Sequence, residues 1–443
     1  MKKTYVLLVV MLLFKGQSFA QLWNELGSGA NALKANFEIL SVVGDVAGNV
    51  YAVGQFTDGA TFSDGHQYVA MWNGTTWSKV GTGINALDTF CGLEALYPDE
   101  VGNMYVAGII DTTGTWEVAK WNGTTWSQVG TGSNALKANN GINAMRRDGG
   151  NLYVGGDFTD GSGNTYIAKW DGTTWTELGS GFNGTIRSIA TDPSGNVYAI
   201  GDFTDGSIPG LHYVAKWNGT TWSQLGSGNI NIVHHVASDP SGNIYLATYG
   251  DVEKWNGSSW TVIGTLGDVN VVISDAHGTI YAAGNFEDAN GKKCVMSWDG
   301  SFWNEVGISS NAINANGKIL TMCIDVNGNM YAAGQFKNSL GYYYVAKRAA
   351  PSGVKNLNGS TLNDLHVYPN PANSLVTFSY SMPNAGALRI VISNVLGEKV
   401  AELNGNNTLG DLYWNTDLAP RGVYMYAATV NDKIVRIGKL IVQ

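Results

Sequence analysis

Polar side chains recur at one position of a repeated segment, shortly after a glycine that ends an apolar stretch. If the repeats form a ring, these positions form an arc on one face, where carboxylate and amide oxygens suit sugar hydroxyls or a hard cation such as Ca²⁺. The competing interpretation is that each side chain caps its own turn by accepting backbone N–H groups. The residues are Asp58, Asp160, Asp205 and Asp288, with Asn338 in the last repeat and Thr112 in the second.

The aromatic residues form two groups with different expected roles. The Trp pairs inside the repeats are expected to be buried, because a ring of sheets needs their apolar area to hold one sheet against the next, at about 2 kcal/mol each. Trp116 lies outside the repeat frame. We therefore predict that Trp116 is an exposed aromatic platform for a ligand.

Groups typical of catalysis or metal binding are sparse. The six His are scattered, and the one close pair is His234-His235. On a strand these two point to opposite faces, so they cannot hold one metal ion, and we expect them in a turn or satisfied in the core. A Gly-x-Gly-x-x-Gly segment begins at Gly179, but a strand follows it, which argues against a phosphate site. No catalytic residue is predicted.

The elements that position these side chains are short strands in repeated units. One unit, starting at Thr185, contains four predicted antiparallel strands joined by a DPSGN turn, a longer loop and an Asn-Gly hairpin. A strand-rich period of 40 to 50 residues is typical of β-propellers. A Trp-(Asn/Asp)-Gly phrase begins at Trp72, Trp121, Trp170, Trp217, Trp255 and Trp298, and a Gly-(Asn/Thr)-apolar-Tyr phrase ends at Tyr51, Tyr105, Tyr153, Tyr198, Tyr245, Tyr281 and Tyr331.

The two ends of the repeat array complement each other. The segment 22–27 matches the fourth strand of a unit, and the seventh unit stops after its third strand at 344–348. If the N-terminal strand pairs with the seventh unit, the ring closes and no long sheet edge remains.

Composition and charge exclude several classes of protein. With 58 Gly, 9 Pro, 11% aromatic and 14% charged residues, the chain fits short strands and tight turns. The formal net charge of -9 argues against a nucleic-acid partner. Three cysteines (Cys91, Cys294 and Cys323) are too few and too scattered for a disulfide scaffold, and we expect them to be buried small apolar residues.

The first twenty residues have the pattern of a signal peptide. Lys2 and Lys3 precede a short apolar run, and Ser18-Phe19-Ala20 supplies the small residues of a cleavage site. No later stretch has the length of a transmembrane helix. We predict export of a mature chain that begins near Gln21.

The repeats resemble two kinds of propeller repeat. LYVGGDF followed by YIAKWDGTTWTELG resembles a kelch-type repeat, and DPSGNVYAIGDF resembles the Asp-x-x-Gly-Asn-x-Tyr repeats of other bacterial propellers. The likeness covers residues 21–349, but only one unit has the kelch Gly pair, Gly155-Gly156. Because several propeller families share these features, the resemblance implies a fold and no activity.

The tail resembles the C-terminal sorting domain of proteins exported by type IX secretion. The matching segments are VYPNPA at 367–372, LRIVI at 388–392, and GVY at 422–424 with the strand that follows it. Alternating apolar and polar residues over about seven short strands also predict a small Ig-like β-sandwich. The resemblance implies that the type IX machinery reads a signal that includes Pro369, Asn370, Pro371, Gly397, Gly422, Tyr424, Lys433 and Lys439.

The sequence therefore predicts an all-β protein with a signal peptide (1–20), a seven-bladed β-propeller (21–349), a linker (350–363) and a C-terminal sorting domain (364–443). We expect a monomer, secreted or on the outer-membrane surface, that binds a glycan or a surface protein. No cofactor is expected unless the loop carboxylates bind Ca²⁺. One alternative is an extracellular polysaccharide hydrolase or lyase in which two loop carboxylates act as acid and base. The other is a structural or adhesive surface-layer component with no small ligand.

Overall fold

The computed structural model divides the chain into two compact units, Met1–Ala350 and Pro351–Gln443. The residues that the structure describes are 22–59, 65–81, 87, 92–109, 115–204, 214–226, 232–307, 311–350, 364–368, 372, 374–382, 387–394, 398–417, 419–430 and 433–442.

The described part of the first unit consists of four-stranded antiparallel sheets, numbered 1 to 7 in chain order. The first strand of the chain, β1 (Trp23–Glu25), belongs to sheet 7. Sheet 1 contains β2 (Ile39–Gly44), β3 (Val50–Gly54), β4 (Ala70–Trp72) and β5 (Trp77–Lys79); sheet 2 contains β6 (Ala95–Pro98), β7 (Met104–Ile109), β8 (Trp116–Trp121) and β9 (Trp126–Gln128); sheet 3 contains β10 (Ile142–Asp148), β11 (Asn151–Gly156), β12 (Ala168–Trp170) and β13 (Trp175–Glu177).

The remaining sheets follow the same order. Sheet 4 contains β14 (Ile186–Thr191), β15 (Val197–Gly201), β16 (Ala215–Trp217) and β17 (Trp222–Gln224); sheet 5 contains β18 (Val233–Ser238), β19 (Ile244–Thr248), β20 (Asp251–Trp255) and β21 (Trp260–Thr265); sheet 6 contains β22 (Val269–Ser274), β23 (Ile280–Glu287), β24 (Lys293–Trp298) and β25 (Trp303–Glu305); sheet 7 contains β26 (Ile319–Ile324), β27 (Met330–Gly334), β28 (Ala346–Arg348) and β1.

A buried aspartate explains the recurring Asp-x-x-Gly-Asn-x-Tyr phrase. In sheet 5, Asp239 Oδ1 accepts the backbone N–H groups of Ser241 and Asn243, both at 2.9 Å. Asp239 Oδ2 accepts the side-chain amide of Asn243 at 2.7 Å and the hydroxyl of Tyr245 at 3.0 Å. Gly242 has φ +81°, a conformation that L side chains rarely adopt. The phrase is therefore a structural turn between the first two strands of a sheet.

Indole N–H groups connect neighbouring sheets, as expected, but the Trp pairs are half-buried and not buried as predicted, because one side of each pair faces outward from the outer strands. Trp175 of sheet 3 donates to the carbonyl of Val129, at the end of sheet 2, at 2.8 Å. The same bond recurs around the unit: Trp77 to Leu26, Trp126 to Val80, Trp222 to Leu178, Trp260 to Leu225, Trp303 to Ile263 and Trp23 to Val306.

The N-terminal strand completes sheet 7, as the sequence predicts. β1 pairs with β28 with Trp23 opposite Arg348 and Glu25 opposite Ala346. Trp23 is buried, and its indole bonds to sheet 6, whereas the carbonyl of Leu26 accepts the indole N–H of Trp77 in sheet 1. The two ends of the repeat array are thus joined within one sheet.

The first strands of the sheets surround an axial cavity. These inner strands contact one another in the closed order β2, β6, β10, β14, β18, β22, β26 and back to β2. The cavity between them has a volume of about 450 Å³, and residues from all seven inner strands line it. We call these strands the inner strands and the end of the cavity at which they begin the cavity mouth.

The second unit consists of two sheets around one core. Its strands are β29 (Asp364–Tyr368), β30 (Leu375–Ser381), β31 (Leu388–Asn394), β32 (Lys399–Gly405), β33 (Leu409–Asn415), β34 (Gly422–Val430) and β35 (Lys433–Val442). One sheet has the order β29-β30-β33 and the other β32-β31-β34-β35. Phe378 from the first sheet and Tyr426 from the second meet edge to face, with ring centroids 5.3 Å apart.

Two further observations concern membrane spans and cysteines. No helix within the described residues has the length and apolar character needed to cross a bilayer. Cys294 is buried and Cys323 is half-buried, and both are free thiols. Burial raises the pKa of Cys294 to about 12, so that it remains a thiol at neutral pH. Cys91 lies outside the described residues.

Candidate functional site

A β-bulge sets the direction of one side chain at the mouth end of six inner strands. In β14, Ile186 pairs with Gly201 and Ser188 pairs with Ile200, so that Arg187 is the extra residue. A bulge leaves its extra residue outside the ladder and turns its side chain away from strict alternation. The extra residues are Leu40, Asn143, Arg187, His234, Asn270 and Leu320.

Sheet 2 places Glu94 at the corresponding point, immediately before β6. Glu94, Leu40 and Leu320 line the axial cavity, as do Asn143 and Arg187. The seven residues, which we call the mouth ring, are therefore polar on the consecutive sheets 2 to 6 and apolar on sheets 7 and 1. The ring therefore has hydrogen-bonding groups on one side and aliphatic carbon on the other.

Residues that follow the second strands form polar pairs with the mouth ring. Arg187 makes a two-pronged bond to Asp202, with Nε–Oδ1 2.8 Å and Nη2–Oδ2 2.6 Å. Asn143 donates to Asp157 Oδ2 at 3.2 Å, and the Thr185 hydroxyl donates to the other oxygen of Asp157. These partners fix the Arg187 and Asn143 side chains in one geometry.

The polar group at the start of the inner strands of sheets 5 and 6, which we call this wall, is incompletely hydrogen-bonded, and His235 is its member that lines the axial cavity. His234 Nε2 lies 3.3 Å from Asp268 Oδ1, and Lys318 Nζ lies 3.6 Å from Asp268 Oδ2. Burial lowers the pKa of His234, against the opposing effect of Asp268. Within the described part of the chain, four buried atoms in this wall have no hydrogen-bond partner: His234 Nε2, His235 Nδ1, Asp268 Oδ1 and Asn270 Oδ1.

This wall corrects the expectation for the His pair. The two-residue period that was expected to put His234 and His235 on opposite faces does not hold at a bulge, because His234 is the extra residue between Val233 and His235. His235 lines the axial cavity. The imidazole of His235 bonds to the backbone of Val272, and that of His234 lies against Asp268, so each is only partly satisfied.

Glu94 lies between the axial cavity and a smaller depression. The depression has a volume of about 260 Å³, and Leu40, Gln55, Gln67 and Trp116 line it with Glu94. Burial raises the pKa of Glu94, and the negative charge of Asp157 raises it further. A carboxyl group of this kind holds a proton at higher pH than an exposed one.

Trp116 is less exposed than the sequence suggested. It is half-buried and packs against the core cluster that includes Ala138 and Ile142. Its ring lies over Gly92, where an added Cβ would come within 2.6 Å of the indole. Trp116 therefore presents part of its surface to the depression and does not stand free as a platform.

The predicted loop residues cap their own loops wherever the structure describes them. Asp160 Oδ1 accepts the N–H groups of Ser162 and Asn164, and the bond from Asn164 holds the pKa of Asp160 below its usual range. Asp288 does the same with Asn290 and Lys292.

Asp58 and Asn338 have additional partners. Asp58 accepts the N–H of His66 at 2.8 Å and pairs with Lys79 at 3.1 Å. Asn338 Oδ1 accepts two N–H groups of its loop, and its amide donates to Glu25 of β1. No hydrogen bond or ion pair joins any two of these four described loop residues, and Asp205 and Thr112 lie outside the described residues.

The residues described here contain no group of three or more His, Cys, Asp or Glu side chains arranged to hold a metal ion. The Ca²⁺ prediction gains no support from the loop carboxylates that the structure includes, since each is occupied by N–H donors. The polar groups of the mouth are suited to hydrogen bonding with an organic ligand.

The sorting-signal residues are described only in part. Gly422 begins β34 with φ +155°, and the buried Tyr424 donates its hydroxyl to the carbonyl of Pro420 at 2.5 Å. The backbones of Lys433 and Lys439 pair with Val430 and Met425. Pro369, Asn370, Pro371 and Gly397 lie outside the described residues, as do the side chains of Lys433 and Lys439.

The mouth ring was missed at the sequence level. Its residues share no amino-acid type, and a motif search favours positions that repeat a type, such as the loop aspartates. A signal was present in the register: the ring residue follows a buried apolar residue in every sheet, at the start of the inner strand from Ile39 in sheet 1 to Ile319 in sheet 7, and at Leu93, just before the strand, in sheet 2.

Repeated four-stranded sheets around an axial cavity define a β-propeller, and solved structures have the same fold. YCF48 bound to D1 peptide matches with TM-score 0.50 and 14% identity, over 74% of this chain and 96% of that one. The β-propeller domain of the Trilobed protease from Pyrococcus furiosus matches with TM-score 0.50 and 10% identity, over 70% and 95%. Identities this low show the fold alone.

A longer structure matches over nearly the whole chain. The extracellular domain of a putative hybrid two component system from B. thetaiotaomicron has TM-score 0.49 and 12% identity over 95% of this chain. This chain covers 57% of that one. None of the curated proteins matches the sequence significantly.

The tail identifies the export route. Residues 366–443 match the family described as Secretion system C-terminal sorting domain, which confirms the resemblance to the type IX sorting domain. The protein is therefore secreted or located at the cell surface, and a tail of this family implies recognition by the type IX secretion machinery.

Proposed function

We propose that this protein is a secreted or surface-located binding module whose ligand enters the cavity mouth. The mouth ring is the observation that carries this proposal. Six inner strands contain a bulge at one register position, and bulges of this kind re-aim side chains next to binding sites. Inner strands without bulges would be enough to pack the sheets against one another, so packing alone does not account for the bulges. The seven sheets act as the blades of a closed, seven-bladed propeller of kelch-like type.

The loop residues are part of the same proposed face. The bulges lie near the first residues of the inner strands, and the loops with Asp58, Asp160, Asp205, Asp288 and Asn338 follow the second strands, which run back to that end. Trp116 borders the same end through the depression beside Glu94. A glycan or a surface protein that covers the mouth would therefore also meet these loops.

The test uses the full-length protein on a glycan array and against surface proteins of the producing cells. Arg187→Gln removes a ring cation, and Lys169→Gln removes a cation from β12 as a matched control. We expect Arg187→Gln to weaken binding at least tenfold and the control to change it less than twofold. Equal effects of the two variants, or a wild-type protein that binds no glycan and no surface protein, would contradict the proposal.

One observation favours an enzyme as the second candidate. The Glu94 carboxyl group has a raised pKa and lies near the carboxylate of Asp157, the combination that glycosidases use for acid and base. A hydrolase or lyase would lose activity in Glu94→Gln and retain ligand binding. An array ligand that stays intact for hours with the wild-type protein would argue for binding alone.

Export and processing complete the proposal. A signal peptide at 1–20 would be removed in the periplasm, and cleavage in the linker at 350–363 would separate the propeller (21–349) from an Ig-like sorting domain (364–443). The bond from Tyr424 to Pro420 resembles the tyrosine corner of Ig-like sandwiches and supports that fold. Intact-mass measurement of the secreted protein tests both cleavages, and a retained tail would contradict the second.

A further inference from the structure

The depression beside the cavity mouth contains a carboxyl group without a partner. Glu94 is half-buried, and its carboxyl makes no hydrogen bond and no ion pair with any residue that the structure describes. Unlike Asp268 Oδ1 and Asn270 Oδ1, which are fully buried, the Glu94 oxygens retain accessible surface. A group that enters the depression can therefore reach this carboxyl.

The charge of Glu94 is not neutralised by its described surroundings. Burial raises the pKa of its carboxyl and the negative charge of Asp157 raises it further, and no cation among the described residues opposes these two effects. The other carboxylates near the mouth differ in this respect, since Asp202 pairs with Arg187 and Asp268 lies near Lys318. An unpaired carboxylate beside a second negative charge attracts a cation. The formal net charge of the chain, -9, also favours the approach of a basic partner.

An indole ring forms one side of the same depression. Trp116 is half-buried and lines the depression with Glu94. The seven Trp residues that join neighbouring sheets donate their indole N–H to a backbone carbonyl, whereas the indole N–H of Trp116 makes no hydrogen bond within the described part of the chain. Trp is the side chain that attracts cations most strongly through its ring. An indole and an unpaired carboxylate in one depression are therefore typical of a site for a cation.

The size and the remaining lining of the depression select the kind of cation. Its volume of about 260 Å³ is smaller than the roughly 300–1,000 Å³ of ordinary small-ligand sites, so it suits one side chain better than a whole ligand. Leu40 and Leu93 offer aliphatic contact to the methylene stem of such a side chain. The Gln55 side chain also lines the depression and bonds to no described residue, so its amide oxygen can accept an N–H.

These features favour a guanidinium over an ammonium group. A guanidinium is planar, stacks on aromatic rings and carries five N–H donors, enough for a carboxylate and an amide together. An ammonium has three donors and keeps its hydration more strongly.

We propose that the depression binds an arginine side chain of a partner protein, with the guanidinium bonded to Glu94 and Gln55 and stacked against Trp116. Its stem lies along Leu40 and Leu93. Glu94 lines the axial cavity as well, so a protein that covers the mouth can insert a side chain here. This inference rests on the proposed binding function and names the partner at the mouth as a protein that presents an exposed arginine.

The test uses the full-length protein and short glycine peptides that contain one arginine or one citrulline. Citrulline has nearly the shape of arginine but no charge, so the pair isolates the effect of the cation. Binding is followed through the NMR signals of the peptide. We expect the arginine peptide to bind with a Kd of about 1 mM and the citrulline peptide to bind at least about tenfold more weakly. Glu94→Gln should abolish this preference, because it removes the charge at nearly constant size.

Glu253→Gln is the matched control. Glu253 on β20 is also a half-buried carboxyl whose pKa is raised by burial and by a neighbouring aspartate, Asp251, but it does not line the depression. Its substitution should change the affinity for the arginine peptide less than about twofold. Trp116→Leu keeps an apolar side chain and removes the ring, and it should weaken binding about threefold.

A second measurement needs no peptide. Because the Glu94 carboxyl has no partner to lose, Glu94→Gln is expected to leave the urea unfolding midpoint unchanged or raise it. A lowered midpoint would show that the carboxyl stabilises the fold and would overturn the inference.

Several binding results would also overturn it: equal affinities for the arginine and citrulline peptides, tighter binding of a lysine peptide, equal effects of Glu94→Gln and Glu253→Gln, or an unchanged affinity in Trp116→Leu. The methyl glycoside of glucosamine supplies the cation of a glycan, and binding of this amino sugar as tight as that of the arginine peptide would overturn the choice of a protein. If no peptide binds but a glycan on the array does, the arginine assignment is wrong and the binding function stands; if nothing binds, both are wrong.

Discussion

The role of β1 in closing sheet 7 predicts a specific loss of stability when Trp23 is shortened. Trp23 is 8% exposed, belongs to the core between sheets 6 and 7, and donates its indole N–H to Val306 at 3.1 Å. Large-to-small changes of buried aromatic residues cost about 3–5 kcal/mol. Trp23→Ala should lose this amount, because it removes the apolar contact and leaves the Val306 carbonyl without its partner.

A variant series separates packing from hydrogen bonding. Trp23→Phe keeps most of the apolar area and loses the N–H, so it should cost about 1–3 kcal/mol. Trp175→Ala, the equivalent change inside sheet 3, should resemble Trp23→Ala, since Trp175 makes the same bond to Val129. Phe302 is 72% exposed, and Phe302→Ala should stay within about 0.5 kcal/mol of the wild type.

Urea unfolding of the full chain, followed by circular dichroism, measures these differences, and size-exclusion chromatography detects association through an exposed edge of β28. If Trp23→Ala unfolds like the wild type while Trp175→Ala loses several kcal/mol, β1 does not hold sheet 7. That result would show that β1 does not close sheet 7, although the other Trp residues join their neighbouring sheets.

Two further predictions concern the His pair and the tail. Burial lowers the pKa of His235 to about 4, below the value of about 6.5 in an unfolded chain. Between these two pH values the folded state binds fewer protons than the unfolded state. The free energy of unfolding should therefore fall as the pH decreases from about 6.5 toward 4. His235→Gln should flatten melting temperature against pH in that window, and an unchanged slope would contradict the assignment. Deleting β35 (Lys433–Val442) removes the strand that pairs with β34 along its whole length, together with the buried Leu440 and Val442. Cell fractionation should then find the protein in the periplasm, whereas deleting Gln443 alone should permit secretion. Normal secretion without β35 would count against a folded sorting signal.

The features of the fold that recur as amino-acid types were predictable from the sequence. A Trp at the start of each fourth strand can be read as a contact between sheets, because seven such residues recur at the spacing of the units. The complementary ends of the array predicted that β1 would pair with β28, and that pairing is present. The tail was recognised because several segments occur in order. The kelch-like type and the signal peptide stay predictions.

The candidate site was harder to predict for a physical reason. A bulge is a property of two paired strands. The alternation of apolar and polar residues along one strand does not show where the bulge lies. That is why His234 and His235 were expected on opposite faces. The loop aspartates repeat at one position, which is typical of a site, but a repeated scaffold also repeats its turn caps. Asp160 and Asp288 accept the N–H groups of their own loops.

The contrast between neighbouring positions within the repeats explains how one scaffold supports a varied site. The residue before each ring position is an almost fully buried apolar side chain, such as Ile186 or Val233, because it packs between sheets. The ring residue itself is displaced from the ladder by the bulge, so changing its type leaves the pairing intact. Packing therefore restricts the first position and leaves the second free to vary. Leu, Glu, Asn, Arg and His all occupy the ring, a variation that the proposed binding function would use and that a core position would not tolerate.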